Sequence, residues 1–504
     1  MLYWPDMIES DHIWLTIIEE FVDKTQRKSQ NTTFIGRNDE EKRILEATQA
    51  KEASIIVVYG RRRVGKTELI EHSLSERNLL KLEGVESGNT QAQMVRVLYQ
   101  LSKALGDPNI TRMLFNTWLE FFDFIADKIS EGKWTLYLEE VQWLAQYKDE
   151  LISDLKYVWD NRFRHNPDLL LVLCGSSPSF MRNQVIHSKA LYNRSIHEIN
   201  LSEFSLKEAK MFLGNRSHRE IMDAYLTVGG IPEYLKRINK HSSIQIGICE
   251  QSFKKDSYFS NEKNRIFISS FAANVHYQEI INYLSQVKFA NKKDIEKHLN
   301  ITAGGNLTNV LKDLELCGFI ERYVPYQAGS KSNMVRYCIA DSYLRFYFKF
   351  ISPLSNRIQQ GDYSNAPLHA LNKESYEKWL GFSFERFCRK NSQLIATIIG
   401  FSAVRYKSGV FFNRTTIKEE AGYQIDLIFD RADHVLTICE IKYTQGKVGI
   451  EVIEQFEKKL RLMPDRENTT IEKVLITANG ANDSLISRAY FDRIITLEDI
   501  FERS

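Results

Sequence analysis

The chain has 504 residues, of which 43% are hydrophobic and 26% are charged, and this composition is typical of a soluble globular protein with two to four domains. The balance of 67 Lys and Arg against 65 Asp and Glu gives a net charge of +2, so overall charge does not indicate nucleic-acid binding, which would depend on local patches. Six scattered cysteines without a Cys-x-x-Cys pair argue against a disulfide framework or a zinc site. No apolar run reaches membrane-spanning length and no signal peptide opens the chain, so we expect a cytoplasmic protein without a membrane partner.

The first motif follows an apolar run at residues 55–58, which is typical of a buried strand. A Gly-x-x-x-x-Gly-Lys-Thr motif comes next, and a helical pattern is predicted over residues 68–80, so the context is that of a P-loop. Its glycines let backbone N–H groups point at phosphate oxygens, the lysine would reach the β- and γ-phosphates, and the threonine hydroxyl would ligate Mg²⁺. We therefore predict that ATP and Mg²⁺ bind at Gly60, Arg61, Arg62, Arg63, Val64, Gly65, Lys66 and Thr67.

The second motif is a strand that ends in two acids, Glu139 and Glu140, as a Walker B element does. Glu139 would hold Mg²⁺, usually through water, and Glu140 would polarise the attacking water. Most such sites carry Asp first, and the extra methylene of Glu139 moves its carboxylate outward by about one carbon–carbon bond. Because Mg²⁺ demands near-ideal octahedral geometry, we expect this difference to affect turnover more than nucleotide binding. A solvated strand end is the alternative interpretation of the two acids.

A third apolar run, residues 169–173, predicts another central parallel strand. It leads to Ser176 and Ser177, either of which could sense a γ-phosphate, and a plain turn after the strand is the alternative. Arg194 could serve as an arginine finger or could be a surface charge.

The order of these motifs, together with Phe-Ile-Gly-Arg at residues 34–37 and Val-Gly-Gly-Ile-Pro-Glu-Tyr-Leu at residues 228–235, resembles the archaeal-type ATPases. That family belongs to the signal-transducing (STAND), AAA+-related P-loop proteins, and the resemblance covers about residues 34–350. It implies a helical lid after the ATPase core, in which the turn containing Pro232 lies close to the nucleotide. A homo-oligomer is a further possibility that the sequence leaves open.

The sequence in the middle of the chain predicts three helices followed by two strands, and the two strands flank a polar loop at residues 327–333. Such a succession is typical of a winged helix-turn-helix. Its polar and basic residues could contact DNA, although a winged helix is also a common protein-contact module. These residues are Asn306, Thr308, Asn309, Lys312, Lys331 and Arg336.

The C-terminal part predicts a hairpin that brings Asp426 on one strand beside Glu440 on the next. Glu440 and Lys442 are two residues apart in a strand, so both side chains leave the same face. Two carboxylates and a lysine would be enough to hold a divalent metal and to orient a hydroxide for phosphodiester attack. A salt-bridged strand face is the alternative.

This pattern resembles the Asp…Glu-x-Lys fold, also written PD-(D/E)XK, of restriction endonucleases and of archaeal-ATPase C-terminal domains. The resemblance implies that Asp426 and Glu440 bind Mg²⁺ and that Lys442 positions or activates water. It also implies that Glu385, on the preceding helix, joins them, and Gln455, on the helix after Lys442, resembles a glutamine found in some branches.

The sequence thus predicts an α/β multidomain protein with a P-loop parallel sheet and helical lid, a winged helix-turn-helix and a restriction-endonuclease-like α/β domain. The expected function is an ATP-controlled, Mg²⁺-dependent DNA nuclease of defence or mobile-element biology. The alternative is a nucleotide-dependent switch or DNA-binding regulator with a non-cutting C-terminal scaffold. The expected boundaries are an N-terminal extension 1–33, an ATPase core 34–200, a lid 201–270, a winged helix 271–352, a linker 353–369 and a nuclease-like domain 370–504.

Overall fold

The structure is a computed structural model that describes residues 34–86, 88–188, 196–271, 276–301, 305–323, 335–413, 423–463 and 468–504. Residues 37–504 form one compact unit, and residues 1–36 form another, of which only residues 34–36 are described. The predicted N-terminal extension, the candidate arginine finger Arg194 and the polar loop with Lys331 lie outside the described residues. No helix in the described ranges is both long and apolar enough to span a membrane.

The first part of the unit is built on a five-stranded parallel sheet with the strand order β2-β3-β4-β1-β5. Its two central strands, β1 and β4, are buried along their whole length, as the apolar runs predict. The strands are β1 Ser54–Tyr59, β2 Asn78–Glu83, β3 Trp134–Glu139, β4 Leu170–Gly175 and β5 Ile196–Asn200.

Helices connect these strands, and their apolar faces form a continuous core with one face of the sheet. The α-helices are α1 Asn38–Thr48, α2 Lys66–Ser73, α3 Thr90–Leu105, α4 Trp118–Lys128, α5 Val141–Leu144, α6 Glu150–Asn161 and α7 Pro178–Phe180. Short 3₁₀ or π segments occupy Pro108–Arg112, Phe163–His165 and Met181–Ile186.

The helix predicted over residues 68–80 is wrong in its second half, because α2 ends at Ser73 and residues 78–83 form strand β2. Leu80 and Leu82 are fully buried in that strand. A short apolar stretch cannot be assigned to helix or strand by periodicity alone, and here pairing with β3 decides the outcome.

Five helices follow the sheet, where the lid is predicted. Gly230 lies in the turn after the second of them, and an added Cβ there would lie 2.1 Å from the Phe204 carbonyl oxygen. A side chain at Gly230 would therefore displace this turn from the segment that precedes the first helix. The helices are α8 Leu206–Leu213, α9 His218–Val228, α10 Pro232–Asn239, α11 Ile244–Phe253 and α12 Tyr258–Ser270.

The middle region has three helices followed by an antiparallel pair of strands, and an isolated bridge joins Ala290 to the second strand. This is the predicted order of elements, and its assignment as a winged helix stays a prediction. The elements are α13 His276–Gln286, α14 Lys292–Leu299, α15 Gly305–Leu316, β6 Ile320–Tyr323 and β7 Arg336–Ile339.

The segment predicted as a linker contains two 3₁₀ turns and a short α-helix, and several of its residues are buried. Ile358 is almost fully buried, and Tyr363 and Pro367 are also buried. Packing thus overrides the polar composition of residues 353–369. This part of the chain contains α16 Ser342–Phe346, π-helical Tyr347–Ile351, 3₁₀ Ser352–Leu354, α17 Ser355–Gln360 and 3₁₀ Pro367–Ala370.

The C-terminal region is a mixed five-stranded sheet with the order β12-β11-β10-β9-β8, flanked by helices. β8, β9 and β10 form an antiparallel meander, and β10, β11 and β12 are parallel. The strands are β8 Tyr406–Asn413, β9 Tyr423–Arg431, β10 Val435–Lys442, β11 Thr470–Thr477 and β12 Arg493–Ile495. The helices are α18 Lys373–Lys390, α19 Ser392–Ile399, α20 Glu451–Arg461, α21 Asp483–Ile486 and α22 Leu497–Arg503.

Candidate functional site

The phosphate loop joins β1 to α2, and its conformation depends on its two glycines. Gly60 and Gly65 both have positive φ, and an added Cβ on Gly60 would lie 2.1 Å from the Leu201 carbonyl oxygen. Lys66 is buried, and its Nζ donates to the carbonyl oxygens of Gly60 and Arg61, each at 3.0 Å. The lysine ammonium therefore lies inside the loop, at the N-terminus of α2, where a phosphate group would be attracted.

The predicted metal ligands Thr67 and Glu139 are brought together by this loop and strand β3. The Thr67 hydroxyl donates to Glu139 Oε1, and Lys81 Nζ lies 2.7 Å from Glu139 Oε2. Burial by itself would raise the pKa of Glu139, but hydrogen bonds from Lys81 and Thr67 outweigh it and lower the pKa below its ordinary value. Glu139 is therefore held as a carboxylate next to Thr67.

The second acid, Glu140, adopts a left-handed backbone conformation with φ 53° between β3 and α5. Its Oε2 accepts from the Ser176 backbone N–H at 3.1 Å, from the Ser176 hydroxyl at 2.6 Å and from Gln142 Nε2 at 2.6 Å. The predicted sensor Ser176 is thus a direct partner of the predicted catalytic acid. These contacts fix the orientation of Glu140 at the carboxyl end of the sheet.

Two arginine side chains of the loop point to later parts of the chain. Arg61 Nη1 lies 2.5 Å from Asp341 Oδ2, immediately before α16, and its guanidinium lies 4.6 Å from the centre of the Phe319 ring. Arg63 Nη1 lies 2.9 Å from Glu262 Oε2 on α12. Each arginine side chain is engaged by a buried carboxylate, and the assignment of Arg61 and Arg63 to the nucleotide site stays a prediction.

The rest of the loop is supported from outside it. Arg37 is buried, and its Nη2 donates to the Val64 carbonyl at 3.0 Å and to the Ser202 carbonyl at 2.7 Å. This role was missed in the sequence, although Arg37 belongs to the Phe-Ile-Gly-Arg motif. Arg62, in contrast, is exposed.

The Gly-Gly-Ile-Pro turn is connected to the loop through the lid. Pro232 is the first residue of α10. The Tyr234 hydroxyl, on the same helix, donates to Glu262 Oε1 at 2.8 Å, and Glu262 is the partner of Arg63. Whether Pro232 lies close to bound nucleotide stays a prediction.

The C-terminal hairpin brings Asp426 and Glu440 together. Cys439 pairs with Leu427, so one further step in the same register places Glu440 opposite Asp426 on the neighbouring strand. The Ile441 backbone N–H donates to Asp426 Oδ2 at 3.2 Å, which confirms how close the two strands are at this point. Both acids are buried, and Glu440 is fully buried. Their juxtaposition was predicted from the local hairpin.

Two lysines contact the buried Glu440. Lys442 Nζ lies 2.9 Å from Oε1, and Lys459 Nζ lies 2.6 Å from Oε2. The contact at Oε1 is an ion pair without an aligned hydrogen bond. Lys442 Nζ also lies 3.4 Å from Gln455 Oε1. Lys459 was missed, although it lies four residues after Gln455 and so on the same face of α20.

Glu385 approaches this cluster from α18. Arg389 connects Glu385 to the strand that carries Asp426, because its Nη1 lies 3.4 Å from Glu385 Oε2 and 3.3 Å from the Asp426 backbone carbonyl oxygen. Burial and the nearby Asp426 carboxylate raise the pKa of Glu385 to about 7. Burial also raises the pKa of Asp426, although Lys459 opposes this effect.

The donor chemistry of this cluster fits a hard divalent cation, since such ions prefer carboxylate and carbonyl oxygens. Glu440 Oε1 is a buried oxygen without an aligned hydrogen bond, and its charged neighbour is Lys442 Nζ at 2.9 Å, which a bound metal ion would have to displace from that oxygen. In the part of the chain that the structure describes, however, no group of three or more His, Cys, Asp or Glu side chains is arranged to hold a metal ion. The candidate metal site therefore consists of the pair Asp426 and Glu440 rather than of a larger group of acidic residues.

Residues 34–238 match the family model of an ATPase domain found predominantly in Archaea. An uncharacterized protein of Methanocaldococcus jannaschii is 27% identical over 360 residues, which are 71% of this chain and 76% of that protein. Among solved structures, a Walker-type ATPase of Pyrococcus abyssi is similar with 17% identity and a TM-score of 0.46, covering 63% of this chain and 96% of that chain. The ORC2 protein of Aeropyrum pernix, solved in ADPNP–ADP complexes, is similar with 12% identity and a TM-score of 0.46, covering 67% and 98% of the two chains.

The family match confirms the predicted resemblance over residues 34–238, where the P-loop, the paired acids and the parallel sheet are found, and leaves residues 239–350 untested. The winged helix and the nuclease-like domain stay predictions. Residues 34–238 are thus similar to an ATPase domain found predominantly in Archaea.

Proposed function

We propose that this protein binds and hydrolyses ATP and that its ATPase domain controls a metal-dependent DNA nuclease site in residues 370–504. The observation that carries the nuclease proposal is the direct juxtaposition of Asp426 and Glu440 with Lys442 on adjacent strands. Carboxylate pairs of this kind, with a lysine on the same face, suit the cleavage of phosphodiesters.

For ATP hydrolysis, the chain supplies charge neutralisation and orientation. Lys66 would leave the carbonyl oxygens of Gly60 and Arg61 and donate to the phosphates, while Thr67 and Glu139 would hold Mg²⁺. Glu140 would accept a hydrogen bond from the attacking water and so orient it in line with the terminal phosphate. Ser176 keeps that carboxylate in place from the end of β4.

For DNA cleavage, Asp426 and Glu440 would hold Mg²⁺, which when bound supplies positive charge and acidifies its water ligand. Lys442 would then face the scissile phosphate, because Glu440 already anchors its ammonium group and Gln455 lies beside it. Glu385, with its raised pKa, could accept or release a proton at neutral pH. Lys459, whose Nζ lies 2.6 Å from Glu440 Oε2, would keep that carboxylate in its orientation.

DNA is the proposed partner, and two features support it. The first is the acidic site just described. The second is a row of polar or basic side chains on α15 that face solvent, where a winged helix would read a groove. They are Asn306, Thr308, Asn309 and Lys312.

The test is cleavage of supercoiled, linear and single-stranded DNA by the purified full chain with Mg²⁺ or Mn²⁺, with and without ATP. We expect Glu440→Gln and Lys442→Met to reduce cleavage by about 100-fold, which is the usual contribution of a positioned acid–base or charged group. Lys447→Met, at an exposed lysine shortly after β10, is the matched control and should cleave like the wild type. Cleavage that survives both site substitutions would overturn the assignment.

A nucleotide-dependent switch is the second candidate function, and the arginine contacts favour it. Arg61 joins the phosphate loop to Asp341, and Arg63 joins it to Glu262, so a conformational change of the loop would alter the contacts of α12 and of the segment before α16. This function predicts no cleavage with any metal, but DNA or protein binding that depends on ATP and is lost in Lys66→Ala. The same cleavage assay therefore separates the two proposals.

A further inference from the structure

Lys81 is a charged residue on an inner face of the ATPase sheet that no sequence motif identifies. It lies on β2, in register with Tyr137 on β3, and therefore on the same face as Glu139 two residues later. Its Nζ contacts Glu139 Oε2 at 2.7 Å and Glu71 Oε1 at 2.9 Å. Glu71 belongs to α2, the helix that follows the phosphate loop. Lys81 thus bridges the Walker B carboxylate and the P-loop helix.

The length of the Glu139 side chain explains why such a bridge matters. A glutamate has one more rotatable bond than the usual aspartate, so its carboxylate can take more positions and loses more conformational entropy when it is fixed. In this site one carboxylate oxygen, Oε2, is occupied by Lys81, and the other, Oε1, accepts from the Thr67 hydroxyl. The two contacts together define the position and the rotation of the carboxylate.

Lys81 is itself held in place. Glu71 contacts its ammonium from the other side, and the ammonium lies 5.4 Å from the centre of the Tyr137 ring. The side chain is 30% exposed, so its charge is partly screened but its geometry is constrained on three sides. A fixed cation of this kind can orient an acid, whereas a mobile surface lysine could not.

We propose that Lys81 is a positioning residue of the ATPase site, which holds Glu139 Oε2 so that Oε1 remains beside Thr67 as a ligand for Mg²⁺. Lys81 thereby offsets the greater length of glutamate at a position where aspartate is usual. The proposal rests on the proposed Mg²⁺·nucleotide function of this site. It concerns orientation and assigns Lys81 no contact with the nucleotide.

The opposite role is physically reasonable and gives the opposite result. A cation 2.7 Å from Glu139 could compete with Mg²⁺ for the carboxylate. Removal of the charge would then tighten Mg²⁺ binding. The sign of the effect therefore decides between positioning and competition.

The experiment measures the affinity of a fluorescent ADP analogue by titration, in a series of Mg²⁺ concentrations and in EDTA. For Lys81→Met we expect the Mg²⁺ concentration at half-maximal binding to rise by about tenfold, as is usual when a residue that orients a metal ligand is lost. Binding in EDTA should not change. Lys81→Arg, which keeps a cation, should recover part of the loss, and Lys51→Met, at an exposed lysine before β1, should bind like the wild type.

A second comparison tests the reason for the effect. In the Glu139→Asp background the side chain is shorter and its carboxylate has less freedom to move. Lys81→Met should therefore raise the Mg²⁺ requirement much less there than in the wild type. An unchanged or a lower Mg²⁺ requirement in Lys81→Met, with a melting temperature like that of the wild type, would overturn the proposal. If the wild type itself failed to bind nucleotide with Mg²⁺, the proposed function would fall instead, so the two failures are distinguishable.

Discussion

The two acidic sites of this protein contain the same residue types, but their carboxylates have opposite tendencies to ionise. At the phosphate loop, hydrogen bonds from Lys81 and Thr67 outweigh burial and lower the pKa of Glu139. At the C-terminal cluster, burial and neighbouring carboxylates raise the pKa of Glu385 to about 7 and raise that of Asp426. Both sites are largely buried, so the difference comes from the number and placement of the donors.

This difference indicates how each site would respond to a cation. The first site already balances its carboxylate with a lysine of the chain, so it is charged and ordered before any ligand arrives. In the second site Lys442 and Lys459 are both engaged by Glu440, which leaves Asp426 and Glu385 less well compensated. A divalent ion would supply the missing charge there and would release protons as it bound.

The largest expected effect comes from disabling the first site alone. Lys66→Ala removes an ammonium that would make two hydrogen bonds to phosphate, and each charge-assisted bond contributes about 1.5–3 kcal/mol, so nucleotide affinity should fall roughly 100- to 10,000-fold. Fluorescence titration with an ADP analogue measures this loss. Lys66→Ala also removes the donor to the Gly60 and Arg61 carbonyl oxygens, so a lower melting temperature without nucleotide is expected too, and Lys51→Ala serves as the exposed control. Retention of wild-type affinity would show that the loop is not the nucleotide site.

The contrast between the two sites also shows how far the sequence could be interpreted. The P-loop was predictable because its motif, its strand and its helix are contiguous. Asp426 and Glu440 were predictable as a pair because a tight hairpin sets their register locally. The side-chain directions of Arg61 and Arg63 were not predictable, because their partners Asp341 and Glu262 are far along the chain and are brought in only by tertiary packing.

Local ambiguity accounts for the remaining errors. The helix predicted over residues 68–80 included the first residues of β2, and no strand was predicted over residues 78–83. As a result Lys81 was not recognised as a neighbour of Glu139, since that contact exists only when β2 pairs with β3. The residues predicted as a linker, 353–369, include a short helix and a turn, in which Ile358 and Tyr363 are buried.

A pH measurement sharpens the comparison of the two sites. The folded-state pKa of Glu385 is about 7 against an ordinary value of 4.5, so the folded protein holds this proton more tightly than the unfolded chain does. Its contribution to stability is therefore fully present below about pH 4.5 and is lost as the pH rises to 7, by up to about 3 kcal/mol. We expect Glu385→Gln to flatten the fall of the melting temperature between pH 5 and pH 7.5.

The control for this measurement is Glu374→Gln on the exposed face of the same helix, which should leave the pH dependence in place. Mg²⁺ should affect the wild type more at pH 7.5 than at pH 5.5, because protonation of the acids opposes metal binding. A melting curve of Glu385→Gln with the same pH dependence as the wild type would show that Glu385 does not titrate in this range.

The smallest expected effect tests whether the two sites are physically connected. Arg61 joins the phosphate loop to Asp341, and Asp341 also caps α16, because its Oδ1 accepts from the Leu344 backbone N–H. Asp341→Asn keeps a good capping side chain and removes only the charge, while Arg61→Met keeps most of the stem. In a double-mutant cycle on the melting free energy, the two losses should overlap by about 1–2 kcal/mol. Strictly additive losses would mean that the loop and α16 are adjacent but not energetically coupled. A change on nucleotide binding would then have to reach the C-terminal acids by another route, such as the contact between Arg63 and Glu262.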